Sequence, residues 1–423
     1  MKLYRLSSLI LVAALIAGGI LYFPSLHSIN NSADITSHAT SMSNPADSNS
    51  TKTEIVIPAR DSSPTAPALK AGYACVMDAE SGRILYEKKA NQKAPMASTT
   101  KIMTLLLALE SGKLEEPVIA SAYAASMPKV HLGMQKGYQY KLKDLLYSLM
   151  LESHNDTAVA IAEHLAGSVN AFAEQMNRKA DKLKLTKTHF VTPNGLDAEE
   201  HYSTAADMCR LASYAIQNKV FLEIIQTKSY SFTTLDGKHQ YFLSNKDAFL
   251  SYYDGALGIK TGFTGKAGYC FVGAAKRSNV TLVSCVLACG WPPNKSFKWI
   301  DTSKLMDYGF DNFSKKTISP PDISHIHIPV IKGKKKYVTC CLPEKLTLLA
   351  GAGDTLKITC SLPKSLCAPI RQNTPVGTVS YYVNDKLFQS DKIFLSESIE
   401  KSDISDTIRN VLHLWMKAFG SSS

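Results

Sequence analysis

The segment MASTTKIMTLLLAL, residues 96–109, places a serine and a lysine three positions apart at the start of an apolar helical pattern. This spacing brings Ser98 and Lys101 to one helix face, one turn apart. A lysine that is removed from water favours its neutral form, and a neutral amine beside a hydroxyl can act as the base for a serine nucleophile. The alternative is that Lys101 extends its ammonium group to the surface. The S-x-x-K pattern occurs three more times, but only here does it begin an apolar helical pattern.

Two later segments carry polar groups that suit the same chemistry. In the segment SHN, Ser153 and Asn155 lie between two helical patterns and supply a hydroxyl and an amide, although a helix cap is the simpler interpretation of this motif alone. The segment KTG occurs once, within a β-like run bounded by glycines. On an edge strand, Lys260 and Thr261 can bind a carboxylate, and Gly262 allows another backbone to approach closely. The alternative for KTG is an exposed strand end.

The order of predicted elements indicates one mixed domain followed by a small β domain. A hairpin around DAESGR begins the first domain, helices occupy its middle, and strand-like runs such as GALGIKTGFTG and NVTLVSCVLAC precede a closing helix. Strands at both ends with helices between them predict an α/β mixed (α+β) fold. SPP at residues 319–321 marks a boundary, and the short alternating runs beyond it predict an all-β domain.

We expect five segments along the chain. They are a signal peptide or membrane anchor (1–28), a flexible linker (29–68), the mixed domain (69–315), a small β-sandwich-like domain (316–398) and an amphipathic C-terminal helix (399–423). Lys2 and Arg5 precede an apolar run over residues 6–23, which is typical of an export signal or a spanning helix. No small-x-small cleavage site follows Phe23, which favours an uncleaved anchor.

Composition narrows the class of partner. The 423 residues carry a net charge of +11, which favours anionic partners, but no zinc-finger spacing, aromatic RNA-binding signature or long basic arm supports nucleic acid. The nine cysteines contain no CxxC pair, so neither a metal site nor a thioredoxin-like motif is indicated. We expect Cys75, Cys270 and Cys285 to be buried and unpaired, and one or two disulfides among the four C-terminal cysteines.

S-x-x-K, S-x-N and K-T-G in this order resemble the signature of penicillin-binding proteins and class A β-lactamases. Within that superfamily the chain is most similar to the low-molecular-mass D-alanyl-D-alanine carboxypeptidases, over about residues 70–313 and more faintly over the β domain. The resemblance is carried by VMDAESGRILYEKKAN, MASTTKIMT, TPNGLD, YSTAADM and GIKTGFTGKAGYC. It implies a β-lactamase/transpeptidase-like fold with an antiparallel sheet and a helical subdomain.

The resemblance also implies a role for each motif residue. Ser98 is the acylated nucleophile and Lys101 its base, while Ser153 and Asn155 carry the proton and position the peptide. The three residues of KTG bind the substrate, and its lysine and threonine hold the terminal carboxylate. The oxyanion hole consists of two backbone N–H groups, those of Ser98 and Phe263.

The implied protein is an exported serine carboxypeptidase at the periplasmic face of the cytoplasmic membrane. It removes the terminal D-Ala from peptidoglycan pentapeptide stems through an acyl-enzyme, is acylated by β-lactam antibiotics and needs no metal or cofactor. A departure from the family is His154, where the middle motif usually has glycine; it narrows the cleft or adds a titrating group. A β-lactamase is an alternative, but no convincing E-x-x-x-N loop follows the middle motif. A DD-endopeptidase or transpeptidase and a catalytically idle penicillin-binding wall module are further alternatives.

The C-terminal segment DISDTIRNVLHLWMKAFG predicts an amphipathic helix. Its apolar residues recur at spacings of three and four: Ile404, Ile408, Val411, Leu412, Trp415, Ala418 and Phe419. A stripe that ends in aromatic residues and has basic neighbours suits a helix lying in a membrane surface. The alternative is a helix packed on its own β domain.

Overall fold

The structure, a computed structural model, describes residues 50–341 and 343–419. The predicted signal peptide or anchor, and the predicted linker up to residue 49, lie outside these ranges. Within the described ranges, no helix combines the length and the apolar character that crossing a bilayer requires.

The first domain is built on an antiparallel sheet. The strands up to residue 287 are β1 (Ser50–Ile57), β2 (Tyr73–Asp78), β3 (Ile84–Lys88), β4 (Pro117–Ile119), β5 (Gln139–Lys141), β6 (Ser229–Thr233), β7 (Gln240–Ser244), β8 (Ala256–Thr264), β9 (Gly268–Arg277) and β10 (Val280–Leu287). Five of them form the central sheet in the order β3-β2-β10-β9-β8, so β8 is an edge strand. The hairpin predicted around DAESGR is confirmed as β2 and β3, and Asp78 closes its turn by accepting hydrogen bonds from the amide and hydroxyl of Ser81.

Helices occupy the middle of this domain, as predicted. They are α1 (Lys101–Glu110), α2 (Ala122–Ala125), α3 (Leu142–Leu151), α4 (Asn155–Ala166), α5 (Val169–Lys182), α6 (Ala205–Ala215), α7 (Lys219–Gln226), α8 (Phe249–Tyr252) and the closing helix α9 (Phe297–Asn312). The hydroxyl of Thr204 caps α6 by accepting a hydrogen bond from the amide of Asp207. Gly167, with φ of 80°, ends α4.

Both faces of the central sheet are covered. Successive residues of a strand point to opposite faces. Cys285 on β10 therefore packs into the core shared with α1, α3, α4 and α6, whereas Leu282 and Val286 pack with Leu305 and Met306 of α9. This arrangement confirms the predicted α+β class.

The second domain consists of short strands that follow α9. They are β11 (Phe313–Ile318), β12 (Ile328–Ile331), β13 (Tyr337–Val338), β14 (Cys340–Cys341), β15 (Leu346–Gly351), β16 (Leu356–Pro363), β17 (Leu366–Cys367), β18 (Pro375–Val383) and β19 (Lys386–Leu395). They enclose a separate apolar core that includes Ile358, Val379 and Ile393. A largely buried ion pair, Arg83 Nη2 to Asp354 Oδ1 at 2.6 Å, joins the two domains.

Strand β1 differs from the flexible linker expected over residues 29–68. Its eight residues pair antiparallel with β16, from Ser50 opposite Pro363 to Ile57 opposite Leu356. The segment STKTEIVI contains several β-branched residues, which favour extended backbone, and the edge of β16 offers unpaired N–H and C=O groups. The polar composition of the surrounding segment concealed this strand, which belongs to the sheet of the second domain.

The expectation of one or two C-terminal disulfides is wrong, because all nine cysteines are free thiols. Cys340 and Cys341 are neighbours on β14 and point to opposite faces, so the first is buried and the second exposed. Cys75, Cys270 and Cys285 are buried and unpaired, which confirms that part of the prediction.

The predicted amphipathic helix is present as α10 (Ile404–Phe419). Six of its apolar side chains are exposed: Ile404, Ile408, Val411, Leu412, Trp415 and Met416. These six side chains are therefore not buried against the β domain, as the alternative interpretation requires.

Candidate active site

Ser98 lies in a 310 turn, Ala97–Thr100, that leads directly into α1. The side chains of Thr99 and Thr100 close this turn by donating to the carbonyl oxygens of Met96 at 2.6 Å and Ala97 at 2.8 Å. Lys101 is the first residue of α1, and its Nζ lies 3.0 Å from Ser98 Oγ. The spacing of three therefore brings the two groups together as predicted.

The amine of Lys101 is inside the protein, with a relative exposure of 0%, so the surface alternative is excluded. Its Nζ also lies 2.9 Å from Asn155 Oδ1 and 2.6 Å from the carbonyl oxygen of Asn194. Burial lowers the pKa of Lys101 well below its usual value; the positive charge of Lys260 lowers it further, and Asp156 opposes both effects. The surroundings thus favour the neutral amine.

These contacts fix the direction of the lone pair on that neutral amine. Asn155 Nδ2 donates to the carbonyl oxygen of Pro128 at 3.2 Å, which orients Oδ1 toward Lys101. Oδ1 and the Asn194 carbonyl oxygen can only accept hydrogen bonds, so they take the two N–H groups of a neutral amine. Ser98 Oγ, at 3.0 Å, is the remaining neighbour of Nζ, so a neutral amine that donates to these two oxygens has its lone pair available to the serine hydroxyl, as general-base activation requires.

The middle motif contributes unequally to this cluster. Asn155 begins α4 and contacts Lys101, but the N-cap position of that helix is taken by His154, which makes no side-chain cap bond. Ser153 lies in the turn between α3 and α4 with a left-handed φ of 69°. Among the described residues, its hydroxyl has no hydrogen bond to Ser98 or Lys101.

His154 does not project toward the serine. Its Nδ1 lies 2.8 Å from Ser148 Oγ on α3, and its Nε2 lies 3.4 Å from Glu152 Oε2. Burial lowers the pKa of His154 to about 4, so the imidazole is neutral at neutral pH. The ring is therefore packed against α3 and does not narrow the cleft, and its titration lies well below neutral pH.

The KTG segment lies on the edge strand β8, as predicted. A Cβ built on Gly262 would stand 3.0 Å from the amide nitrogen of Ser98, so only glycine lets this strand approach the serine turn so closely. Lys260 is buried, its Nζ donates to the carbonyl oxygen of Thr261 at 3.1 Å, and burial lowers its pKa to about 8. Thr261 is half-buried and Phe263, the next residue but one, is exposed at the rim.

The loop TPNGLD, residues 192–197, is a part of the site to which sequence reasoning gave no role. The carbonyl oxygen of Asn194 accepts from Lys101 Nζ and also lies 3.3 Å from Ser98 Oγ. Gly195, with φ of 82°, lies so close that a Cβ there would collide with the carbonyl oxygen of Ala97. A backbone acceptor has no residue signature, but the Asn-Gly pair is a turn signal that marks the loop.

A buried histidine fastens that loop to the serine turn. His201 Nδ1 accepts from the amide of Val191 at 2.9 Å, and its Nε2 lies 2.9 Å from the hydroxyl of Thr100. Burial lowers the pKa of His201 to about 4, which keeps Nδ1 free to accept. Within the described ranges, no three His, Cys, Asp or Glu residues are arranged to hold a metal ion.

Comparisons with known proteins agree with this geometry. The chain matches the D-alanyl-D-alanine carboxypeptidase family, peptidase S11, over residues 60–290 and the C-terminal domain of penicillin-binding protein 5 over residues 313–401. D-alanyl-D-alanine carboxypeptidase DacC of Escherichia coli is 30% identical over 84% of this chain and 91% of the relative, and DacF of Bacillus subtilis is 28% identical over 83% and 91%. Penicillin-binding protein 5 from Haemophilus influenzae superposes with a TM-score of 0.68 at 27% identity, covering 80% of this chain and 100% of that structure.

The fold and the serine–lysine–asparagine cluster define a hydrolase of the penicillin-binding type. The chain belongs to the D-alanyl-D-alanine carboxypeptidase family, as the match over residues 60–290 shows. It is therefore an enzyme, a peptidase of the cell wall, and the family indicated by the order of S-x-x-K, S-x-N and K-T-G is confirmed.

Proposed function

We propose that this carboxypeptidase removes the terminal D-Ala from peptidoglycan pentapeptide stems through an acyl-enzyme on Ser98. The observation that carries the proposal is the buried Lys101 amine, which lies 3.0 Å from Ser98 Oγ and has two further oxygen acceptors, on Asn155 and Asn194. Family membership supports the substrate class. β-Lactam antibiotics, which mimic the D-Ala-D-Ala end, acylate the same serine.

In acylation, Lys101 takes the hydroxyl proton while Ser98 Oγ attacks the carbonyl carbon of the penultimate D-Ala. The oxyanion accepts hydrogen bonds from the backbone N–H groups of Ser98 and Phe263, and each such donor typically contributes about 3 kcal/mol. The C–N bond breaks as Lys101 passes the proton, through the Ser153 hydroxyl, to the leaving D-Ala nitrogen, while Asn155 positions the peptide. Water then attacks the ester carbonyl carbon while Lys101 takes its proton, the bond to Ser98 Oγ breaks as Lys101 returns that proton to the serine oxygen, and the shortened stem leaves.

Lys260 and Thr261 hold the terminal carboxylate of the substrate. The proximity of β8 to the serine turn, which Gly262 permits, supports this role because the threonine is one residue and the lysine two residues from the strand's closest approach to Ser98. A protonated Lys260 gains an anionic partner when the carboxylate arrives, which offsets the cost of keeping its charge buried. Its lowered pKa is consistent with a lysine that awaits such a partner.

We further propose how the enzyme is placed at the cell wall. Residues 1–28 direct export to the periplasmic face of the cytoplasmic membrane and anchor the chain there, and the following linker reaches as far as β1. Residues 69–315 form the catalytic domain and residues 316–398 the β domain. The helix predicted over residues 399–423 begins only at Ile404, because Ile399 and Lys401 pair with Ile370 and Gly333 of the β domain; the exposed apolar side chains of α10 support a helix that lies in the membrane surface.

Release of D-Ala from a pentapeptide ending in D-Ala-D-Ala tests the proposed reaction. The full-length enzyme should release the terminal D-Ala from this stem, while a matched stem ending in D-Ala-L-Ala should stay intact because the carboxylate is then misplaced. A protein that leaves the first stem untouched, or that cleaves both equally, would contradict the proposed activity.

A further inference from the structure

A buried carboxylate next to the middle motif has no part in the reaction described so far. Asp156 is the second residue of α4, and its relative exposure is 1%. Its Oδ1 accepts from the amide of Leu132 at 2.9 Å, and its Oδ2 accepts from the amides of Gly133 at 2.9 Å and Met134 at 3.1 Å. Oδ1 also accepts from the amide of Thr157 at 2.9 Å. Four backbone donors thus hold a charge that has no cationic side chain as partner among the described residues.

Three of these donors belong to one loop, residues 128–134, which Asn155 also binds. The amide of Asn155 donates to the carbonyl oxygen of Val130 at 2.8 Å, and its Nδ2 donates to that of Pro128 at 3.2 Å. The same Asn155 contacts Lys101 Nζ through Oδ1. A displacement of the loop would therefore move the Asn155 side chain and, with it, one of the hydrogen-bond partners of Lys101.

The charge of Asp156 also acts on Lys101 directly. The charged groups that face Lys101 are Lys260 from β8 and Asp156 from α4. His154, two residues before Asp156 on the turn between α3 and α4, is neutral at neutral pH. Lys260 favours a neutral Lys101, whereas Asp156 favours the protonated form, so the two groups act in opposite directions on the base.

We infer that Asp156 is a positioning residue that fixes the loop 128–134 beside the serine turn and, through the contacts of that loop with Asn155, the position of the Lys101 amine. The inference rests on the proposed roles of Ser98 and Lys101. A carboxylate that only supported the loop would affect the rate, whereas one that also acts on Lys101 affects the pH dependence of the rate.

The decisive variant is Asp156→Asn, with Asp144→Asn as the matched control. Asp144 lies on the neighbouring helix α3, and its carboxylate accepts from Tyr230 Oη at 2.6 Å rather than from the loop. The rate of acylation by a fluorescent penicillin is measured across pH for the full-length proteins. Asp156→Asn should be about 10- to 100-fold slower, because an amide cannot accept all four donors and the loop shifts. The acid limb of its pH–rate profile should move to lower pH, because the charge that raises the pKa of Lys101 is gone. The control should keep the acid limb of the wild-type profile.

Two outcomes would overturn the inference. In the first, Asp156→Asn has the acylation rate and the acid limb of the wild-type protein. In the second, acylation is slower but the acid limb of the pH–rate profile does not move. If that variant does not fold, hydrogen exchange of the wild-type protein decides. The amides of Leu132, Gly133 and Met134 should exchange slowly with solvent although Gly133 is exposed, because they donate to Asp156. Exchange at the rate of an unstructured loop would show that Asp156 does not hold the loop. Labelling of wild-type Ser98 is followed in parallel, so that failure of the proposed function is seen separately.

Discussion

Lys101 Nζ and Ser98 Oγ lie 3.0 Å apart, one helical turn from each other, with the amine shielded from solvent. The protein stabilises this pair by a backbone carbonyl from one loop and a side-chain amide from the start of α4. Because both of those groups are acceptors, the pair is arranged for proton transfer from the serine to the lysine. The account of the enzyme depends on this relationship.

Replacing the base by a guanidinium should remove activity while keeping the positive charge. Lys101→Arg should lower D-Ala release by about 10²–10⁴-fold, because arginine does not deprotonate and general-base catalysis is lost. Lys298→Arg is the control, since Lys298 is also buried but lies outside the cluster. A Lys101→Arg enzyme with near-normal turnover would rule out lysine as the base.

The pH profile should be bell-shaped, and its two limbs belong to different lysines. Activity rises with pH as Lys101 loses its proton. Burial lowers the pKa of Lys260 to about 8, so above that pH the carboxylate loses its cationic partner and KM should rise. Steady-state kinetics on the pentapeptide would show this as a KM effect, and a KM that stays constant well into the alkaline range would exclude Lys260 from substrate binding.

The sequence predicted the parts of the site that local geometry determines. Ser98 and Lys101 meet because residues three apart share a helix face, and Gly262 can approach the serine turn because it has no Cβ. The carbonyl oxygen of Asn194 was not predictable in this way, since every residue has one and only the tertiary fold brings this one to Lys101. The direction of His154 was missed for a related reason, because the turn before α4 decides it.

The same limit applies to the fold. Periodicity located the helices and the central strands, because their apolar faces are buried against each other. Strand β1 was assigned to the linker, because its sequence is short and lies within a polar segment, and its pairing with β16 is made by backbone groups. Cysteine counting also does not reveal that Cys340 and Cys341 point to opposite faces of β14 and that all four C-terminal cysteines are free.

His154 should matter for stability and little for chemistry. His154→Gly should keep penicillin acylation within about tenfold, or ~1.4 kcal/mol of barrier, because the ring faces Ser148 and Glu152. The free energy of unfolding should fall by about 1–3 kcal/mol, since a buried hydrogen-bonded side chain is lost. Acylation kinetics and thermal unfolding are measured together, with His325→Gly, an exposed position in the second domain, as control. A loss of several orders of magnitude in rate would give His154 a chemical role.

Removal of the tail tests the proposed membrane attachment. A protein lacking residues 403–423 should stay in the membrane fraction, because an uncleaved N-terminal segment holds it more firmly than a surface helix does. Further removal of residues 1–28, with export supplied by a cleavable signal, should release it to the soluble fraction. Finding the first truncated protein soluble would refute the N-terminal anchor and leave α10 as the main attachment.

Covalent labelling by benzylpenicillin tests the central claim most directly. After digestion of the full-length protein, mass spectrometry should place the penicilloyl group on Ser98, and the Ser98→Ala variant should carry none. Ser153→Ala, which changes the other serine of the site, should still be labelled at Ser98, although more slowly. A penicilloyl group on another residue of the wild-type enzyme, or retained labelling in Ser98→Ala, would contradict the assignment of Ser98 as the nucleophile.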